Sequence, residues 1–186
     1  GRRHNSERVK HLYNLADKNI TFSWDIICGF PGETPELFQE TMDLVRTTKP
    51  IKIHAFPYSP RPGTIAADMP NQINRNISKE RVKIINDAAN QNRNEFMRTQ
   101  LGKTVQVLVE ENNIARCPHD ITVKICGQSI PTRTICDVIL TNIENDVFIG
   151  LPAILNSTGI KDRIYIELND DETKKLQNSI DIIKDA

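Results

Sequence analysis

Asp25-Ile26-Ile27-Cys28-Gly29-Phe30-Pro31-Gly32-Glu33-Thr34 is the stretch on which the fold turns. An apolar run stops in two glycines around Phe30-Pro31, and helix signals follow at once. Thr34 suits an N-cap, Pro35 the first helical position and Glu36 the first turn. Leu37, Phe38, Met42 and Val45 then recur at helical spacing. A second apolar strand is expected over residues 51–56. Strand, glycine turn, helix and strand make one βαβ unit with a right-handed crossover expected. In such sheets ligands bind at the carboxyl ends of the strands. The turn at residues 29–33 and Pro57-Tyr58-Ser59 lie at two adjacent ends of this kind, so a small-molecule site is expected there.

The turn by itself carries two readings. Any tight strand-to-helix connection favours Gly and Pro, so its spacing is equally that of a structural turn. It is not a P-loop, because no Lys-Ser/Thr pair follows, and it does not fit the dinucleotide pattern G-x-G-x-x-G.

Upstream, residues 20–28 form the strand that leads into the turn. Asp25 is out of character in it: a carboxylate among apolar neighbours is costly unless bonded, so it is either a site residue or a satisfied structural acceptor. Before it, Asn5 or Ser6 is placed to cap a helix whose inner face is Val9, Leu12, Tyr13 and Ala16. A helix feeding a parallel strand normally has its own preceding strand, so the chain is expected to start partway through a larger α/β domain. Downstream, residues 58–78 make a long irregular loop with a short helical piece around 65–69, and loops of this length are usually functional or disordered. Arg61, between two prolines, is either a phosphate or carboxylate contact or an ordinary solvated cation. Ser78 is expected to cap a helix running to about Leu101, with Val82, Ile85, Ala89 and Phe96 on one face. Asn90, Asn92 and Asn94 weaken that helix by propensity, so packing must hold it.

After Gly102 the texture becomes β. Short strands are expected over 105–110, 121–125, 134–140 and 147–151, with turns at Glu111-Asn112-Asn113, Gly127-Gln128 and Asn145-Asp146. Four short strands in so little chain suggest a small barrel of the oligonucleotide-binding kind. The expected organisation is α/β for residues 1–101, all-β for 102–151, and an extension over 152–186. That extension would hold a possible strand at 163–168 and a helix from about Asp171 with Leu176, Ile180 and Ile183 inward.

The formal charge is zero, but residues 1–98 hold 15 basic and 11 acidic side chains against 9 and 13 in the rest. The second half is therefore not a broadly basic nucleic-acid domain, and RNA contact there must be local. Cys28, Cys117, Cys126 and Cys136 show no metal or cluster spacing. Mean hydropathy is −0.43, and no apolar stretch approaches the roughly 20 residues that span a bilayer. Reduced thiols in the cytoplasm, with no membrane partner, are the expectation.

Taken together, these segments resemble the radical-SAM methylthiotransferases. The stretch 25–34 is similar to that family's D-I-I-x-G-F-P-G-E-T. His54-Ala55-Phe56-Pro57-Tyr58-Ser59-Pro60-Arg61-Pro62-Gly63-Thr64, Lys79-Glu80-Arg81 and Gly102-Lys103-Thr104-Val105 continue the resemblance in order across residues 1–150. The Arg2-Arg3-His4 start and the H-x-F-P-Y-S form look like the branch that modifies threonylcarbamoyladenosine at tRNA position 37. Cys28 departs from the family's usual Val, Ile or Ala, and Trp24 stands where smaller residues are commoner.

The resemblance implies the C-terminal part of such an enzyme, namely the end of a partial (β/α) radical-SAM barrel followed by a TRAM (OB-like) β-barrel. The N-terminal domains and every ligand of the [4Fe-4S] clusters would lie outside this chain, which alone would be inactive. It implies S-adenosyl-L-methionine bordered by Arg3, Asp25, Gly29, Phe30, Pro31, Gly32, Glu33, Phe56, Tyr58 and Ser59. It also implies tRNA as partner, with Arg61, Lys103 and Arg116 the candidate RNA contacts; the alternative for the two barrel residues is ordinary solvated charge. Gly32→Val is then expected to weaken cofactor binding with little change in melting temperature. Two rival readings are a ribosomal-protein aspartate methylthiotransferase and a non-catalytic RNA-binding module.

Overall fold

The computed structural model describes residues 2–16, 19–127, 129–156 and 159–163. They divide into two compact units, Gly1–Phe96 and Met97–Ala186.

In the first unit, α1 (Arg2–Leu15) leads to β1 (Ser23–Cys28), α2 (Pro35–Thr48) and β2 (Lys52–Pro57). β1 and β2 pair in parallel from Ser23↔Lys52 to Cys28↔Pro57, which is the expected βαβ unit. The N-cap is Thr34, whose Oγ1 accepts the Leu37 N–H at 3.3 Å, with Pro35 just inside. One sheet face carries Trp24, Ile26, Cys28, Ile53 and Ala55, packed with Phe38, Met42 and Val45 of α2 and Val82, Ile85 and Ala89 of α4 (Arg75–Gln100). Burial of each large apolar side chain of this kind contributes about 1.5–3 kcal/mol. The other face carries Asp25, Ile27, His54 and Phe56, all exposed. α3 (Ile65–Asp68) is the short helical piece of the long loop.

Two helix starts differ from expectation. α1 begins at Arg2, so Asn5 and Ser6 lie inside it, and Leu12 of its expected inner face is 60% exposed. α4 begins at Arg75, where the Asn74 side chain accepts the Asn76 N–H at 2.8 Å. Ser78 is buried within that helix, and its hydroxyl bonds back to Asn74 O, so it is a packing residue and not a cap. The asparagine-rich stretch of α4 is held partly by Asn92, whose amide donates to Pro50 O at 3.2 Å.

The second unit is a small barrel in the order β5-β4-β3-β6-β7, closed by a parallel β5–β7 pairing. Its strands are β3 (Thr104–Glu111), β4 (Ile114–Arg116), β5 (Thr122–Ile125), β6 (Ile135–Glu144) and β7 (Val147–Asn156). β8 (Gly159–Arg163) adds to β7. Val107, Val109, Ala115, Ile121, Val123, Ile125, Val138, Leu140 and Phe148 fill the interior. Asn112-Asn113 and Asn145-Asp146 have positive φ in pairs, the backbone of tight hairpin turns. β4 is additional to the expected strands: at three residues it shows no measurable alternation. β8 precedes most of the strand expected at 163–168, and the rest of that strand and the helix from Asp171 lie outside the described residues. Among the described residues no helix is long and apolar enough to cross a membrane.

Candidate cofactor site

β1 delivers the chain at Cys28 into two left-handed glycines, Gly29 (φ +76°) and Gly32 (φ +80°). Glu33 N–H donates to Phe30 O at 2.9 Å, which closes the turn. Gly32 N–H donates to Asn71 O at 3.0 Å, tying the turn to the long loop. Tyr58 N–H donates to Cys28 O at 2.8 Å, so the two strand ends stay in register past β2. There Phe30 and Tyr58 meet edge to face, with centroids 5.3 Å apart. Among the described residues the buried Tyr58 hydroxyl has no hydrogen-bond partner. Pro31 is buried, whereas Phe30 and Ser59 are exposed.

Glu33 is not open to a ligand. Its side chain is 6% exposed, and Oε2 accepts from the Gly29 N–H and from Arg81 Nη1 at 2.7 Å. Arg81 Nη1 also donates to Glu33 O at 2.9 Å, and the guanidinium sits over the Phe38 ring. Arg81 and Asn71 are the turn's partners that the motif alone did not name. A single Arg on a helix, four dozen residues downstream, gives no sequence signal of what it reaches.

Asp25 lies on the open sheet face at the register position of His54, with Ile27 opposite Phe56. It is exposed, so no desolvation cost demands a structural partner, contrary to the premise that it sits inside apolar surroundings. Ile27 and Phe56 are 58% and 54% exposed, leaving an apolar pair beside that carboxylate. Arg3 falls in the first turn of α1, and its side chain lies outside the described residues.

Cys28 belongs to the core of this unit. Burial pushes its thiol from the ordinary 9.0 up to about 11, with the nearby Glu33 carboxylate adding to the rise and Arg81 opposing it. A thiol raised in the folded state contributes stability below pH 9 that is lost as pH rises through about 11. Iodoacetamide at pH 8 should therefore leave buried Cys28 unmodified in the native chain, while half-buried Cys126 reacts. Peptide mass spectrometry reads the sites, and prompt alkylation of Cys28 would contradict this burial.

The barrel candidates are placed apart. Arg116 pairs with Leu108, five residues along β3 from Lys103, or about 17 Å at strand rise. Its guanidinium grips Glu110 (Nε–Oε1 2.9 Å, Nη2–Oε2 3.3 Å) and Asp120 (Nη1–Oδ1 2.9 Å). A phosphate would have to displace two carboxylates, which makes Arg116 a poorer RNA contact than its charge suggests. Lys103 is exposed, and with burial its charge holds the His119 pKa down. Arg61 is exposed in the long loop, where its carbonyl accepts the Thr64 hydroxyl at 2.8 Å. Among the described residues no three His, Cys, Asp or Glu side chains converge as a metal site, so nothing here fits a cluster.

No family model matches the chain. Comparison with curated proteins does find relatives. Threonylcarbamoyladenosine tRNA methylthiotransferase MtaB of Rickettsia prowazekii is 41% identical over 127 residues, covering 67% of this chain and 30% of that protein. The tRNA-2-methylthio-N(6)-dimethylallyladenosine synthase of Bartonella tribocorum is 31% identical over 158 residues, 80% of this chain and 34% of its own length. The synthase of the same name from Tropheryma whipplei is 48% identical over 91 residues, 49% of this chain and 19% of its own. The chain thus spans about a third or less of the curated relatives it matches.

Proposed function

This chain belongs to the radical-SAM methylthiotransferase family, and on that premise we propose that it is the C-terminal part of a tRNA methylthiotransferase. The reaction is replacement of the C2 hydrogen of a modified adenosine at position 37 by a methylthio group. Residues 1–101 are assigned to the end of the radical-SAM barrel, 102–151 to a TRAM-like barrel that meets tRNA, and 152–186 to an extension. The remaining domains and the [4Fe-4S] ligands belong to the rest of the protein, which works in the cytoplasm. The H-x-F-P-Y-S form at residues 54–59 favours threonylcarbamoyladenosine as the modified nucleoside.

The observation that carries this reading is the double strand end. Two left-handed glycines and an edge-to-face aromatic pair stand at the carboxyl ends of two adjacent parallel strands. S-adenosylmethionine suits these residues. Among the described residues, its chain neighbours aside, nothing lies within 4 Å of where a Gly32 Cβ would be, which leaves room for close backbone approach. The buried Tyr58 hydroxyl has no partner among the described residues, and a polar ligand could supply one. Gly29–Gly32, Phe30 and Tyr58 would hold the cofactor, with Ile27 and Phe56 excluding water and Asp25 offering a carboxylate on that sheet face. When bound, S-adenosylmethionine supplies the radical and methyl chemistry; the protein supplies orientation and a dry surface.

The test is deletion of the gene, followed by analysis of tRNA nucleosides and ribosomal proteins by mass spectrometry. Loss of the methylthio group from the position-37 adenosine, restored by the wild-type gene, is expected. Unchanged tRNA with a lost methylthio-aspartate would assign the ribosomal-protein alternative. No change in either would leave the non-catalytic module.

A further inference from the structure

Arg81 reaches the glycine turn from α4, far from it in sequence. Its side chain is 9% exposed, and Nη1 divides between Glu33 O and Glu33 Oε2. The same Oε2 accepts the Gly29 N–H. A buried ion pair is sustained only where geometry and further hydrogen bonds offset the loss of water, and here those bonds converge on the turn. We propose that Arg81 is a positioning residue for the cofactor: acting through Glu33, it sets the direction of the Gly29 N–H and with it the stance of Phe30 against Tyr58. This rests on reading the turn as a cradle for S-adenosylmethionine. Phe38, stacked beneath the guanidinium, keeps Arg81 from rotating away. Without that cation the Glu33 carboxylate loses the side chain that holds it in place and turns toward water, and Gly29 loses its charged acceptor.

The experiment has two readouts. In the isotopically labelled 186-residue chain, Arg81→Met should speed hydrogen exchange at the Gly29 amide by about two orders of magnitude, the scale of losing a buried charged partner. The Ile85 and Ala89 amides of the same helix should stay protected, and Arg81→Lys should fall between. In the full-length enzyme, Arg81→Met should raise the Kd and KM for S-adenosylmethionine about tenfold or more, with kcat at saturation changed much less. Arg81→Lys should recover part of the affinity. If Arg81→Met fails to fold, the pair Glu33→Gln with Arg81→Met, which leaves no buried charge, carries both measurements with the same expected losses.

Unchanged Gly29 exchange would overturn the relay whatever the cofactor does. Faster exchange with unchanged cofactor affinity would reduce Arg81 to a structural tie and overturn the positioning role. A wild-type enzyme that does not bind S-adenosylmethionine would overturn the reading of the turn, and this proposal with it, while leaving the amide result as it stands.

Discussion

Gly29→Ala should destabilise the first unit by about 3 kcal/mol or more, because two penalties fall on one added carbon. The left-handed backbone at φ +76° costs a non-glycine residue roughly 1–2 kcal/mol. The new Cβ would stand 1.9 Å from Ser78 Oγ and 2.7 Å from Ser78 Cβ, an overpacking that costs about 1–3 kcal/mol. Ser78 is buried on α4, so neither side can yield without moving the helix. Urea denaturation followed at Trp24 measures the loss. Adding Ser78→Gly should recover the steric part and leave the backbone part. A loss below about 1 kcal/mol would mean that the turn is looser than this packing implies.

Gly32→Ala separates the two terms. Its φ of +80° imposes a similar backbone cost, roughly 1–2 kcal/mol, but among the described residues beyond its chain neighbours the added carbon meets nothing within 4 Å. The expectation that Gly32→Val leaves the melting temperature nearly unchanged is therefore corrected. A β-branched residue in that conformation is strained before any ligand is considered. Reduced cofactor affinity in such a variant has to be compared at matched stability.

Phe148→Ala should cost about 3–5 kcal/mol, the usual range for a fully buried aromatic. Phe148 sits on β7 opposite Val123 of β5 and Ile143 of β6, where the barrel closes. Its removal leaves a cavity at the parallel β5–β7 seam. Because the chain has two units, unfolding need not be two-state, so barrel amides such as Val123 and Val138 report the effect. Retained protection at both would show that the seam tolerates the cavity.

Much of the first unit was legible without coordinates. An apolar run, two glycines, a Thr-Pro helix start and helical periodicity are local features, and local backbone preference is what they encode. The hairpin asparagines of the barrel were legible for the same reason. The family resemblance followed from linked motifs in order.

What the sequence could not assign was direction and partnership. Asp25, Ile27 and Phe56 are odd or apolar members of strands, and only the β1–β2 register with α2 and α4 on the opposite face puts them together on the open side. Glu33 read as a cofactor neighbour, yet tertiary packing sets it against Arg81 and the Gly29 amide. Arg116 read as a phosphate contact, yet the β3–β4 pairing and the following turn bring Glu110 and Asp120 to it. Ser78 read as a cap, but helix α4 starts three residues earlier and presses it on Gly29. In each case the side chain's chemistry was plain from its letter. Which groups it meets depends on contacts between residues distant in the chain, and those are set by how sheet and helix pack.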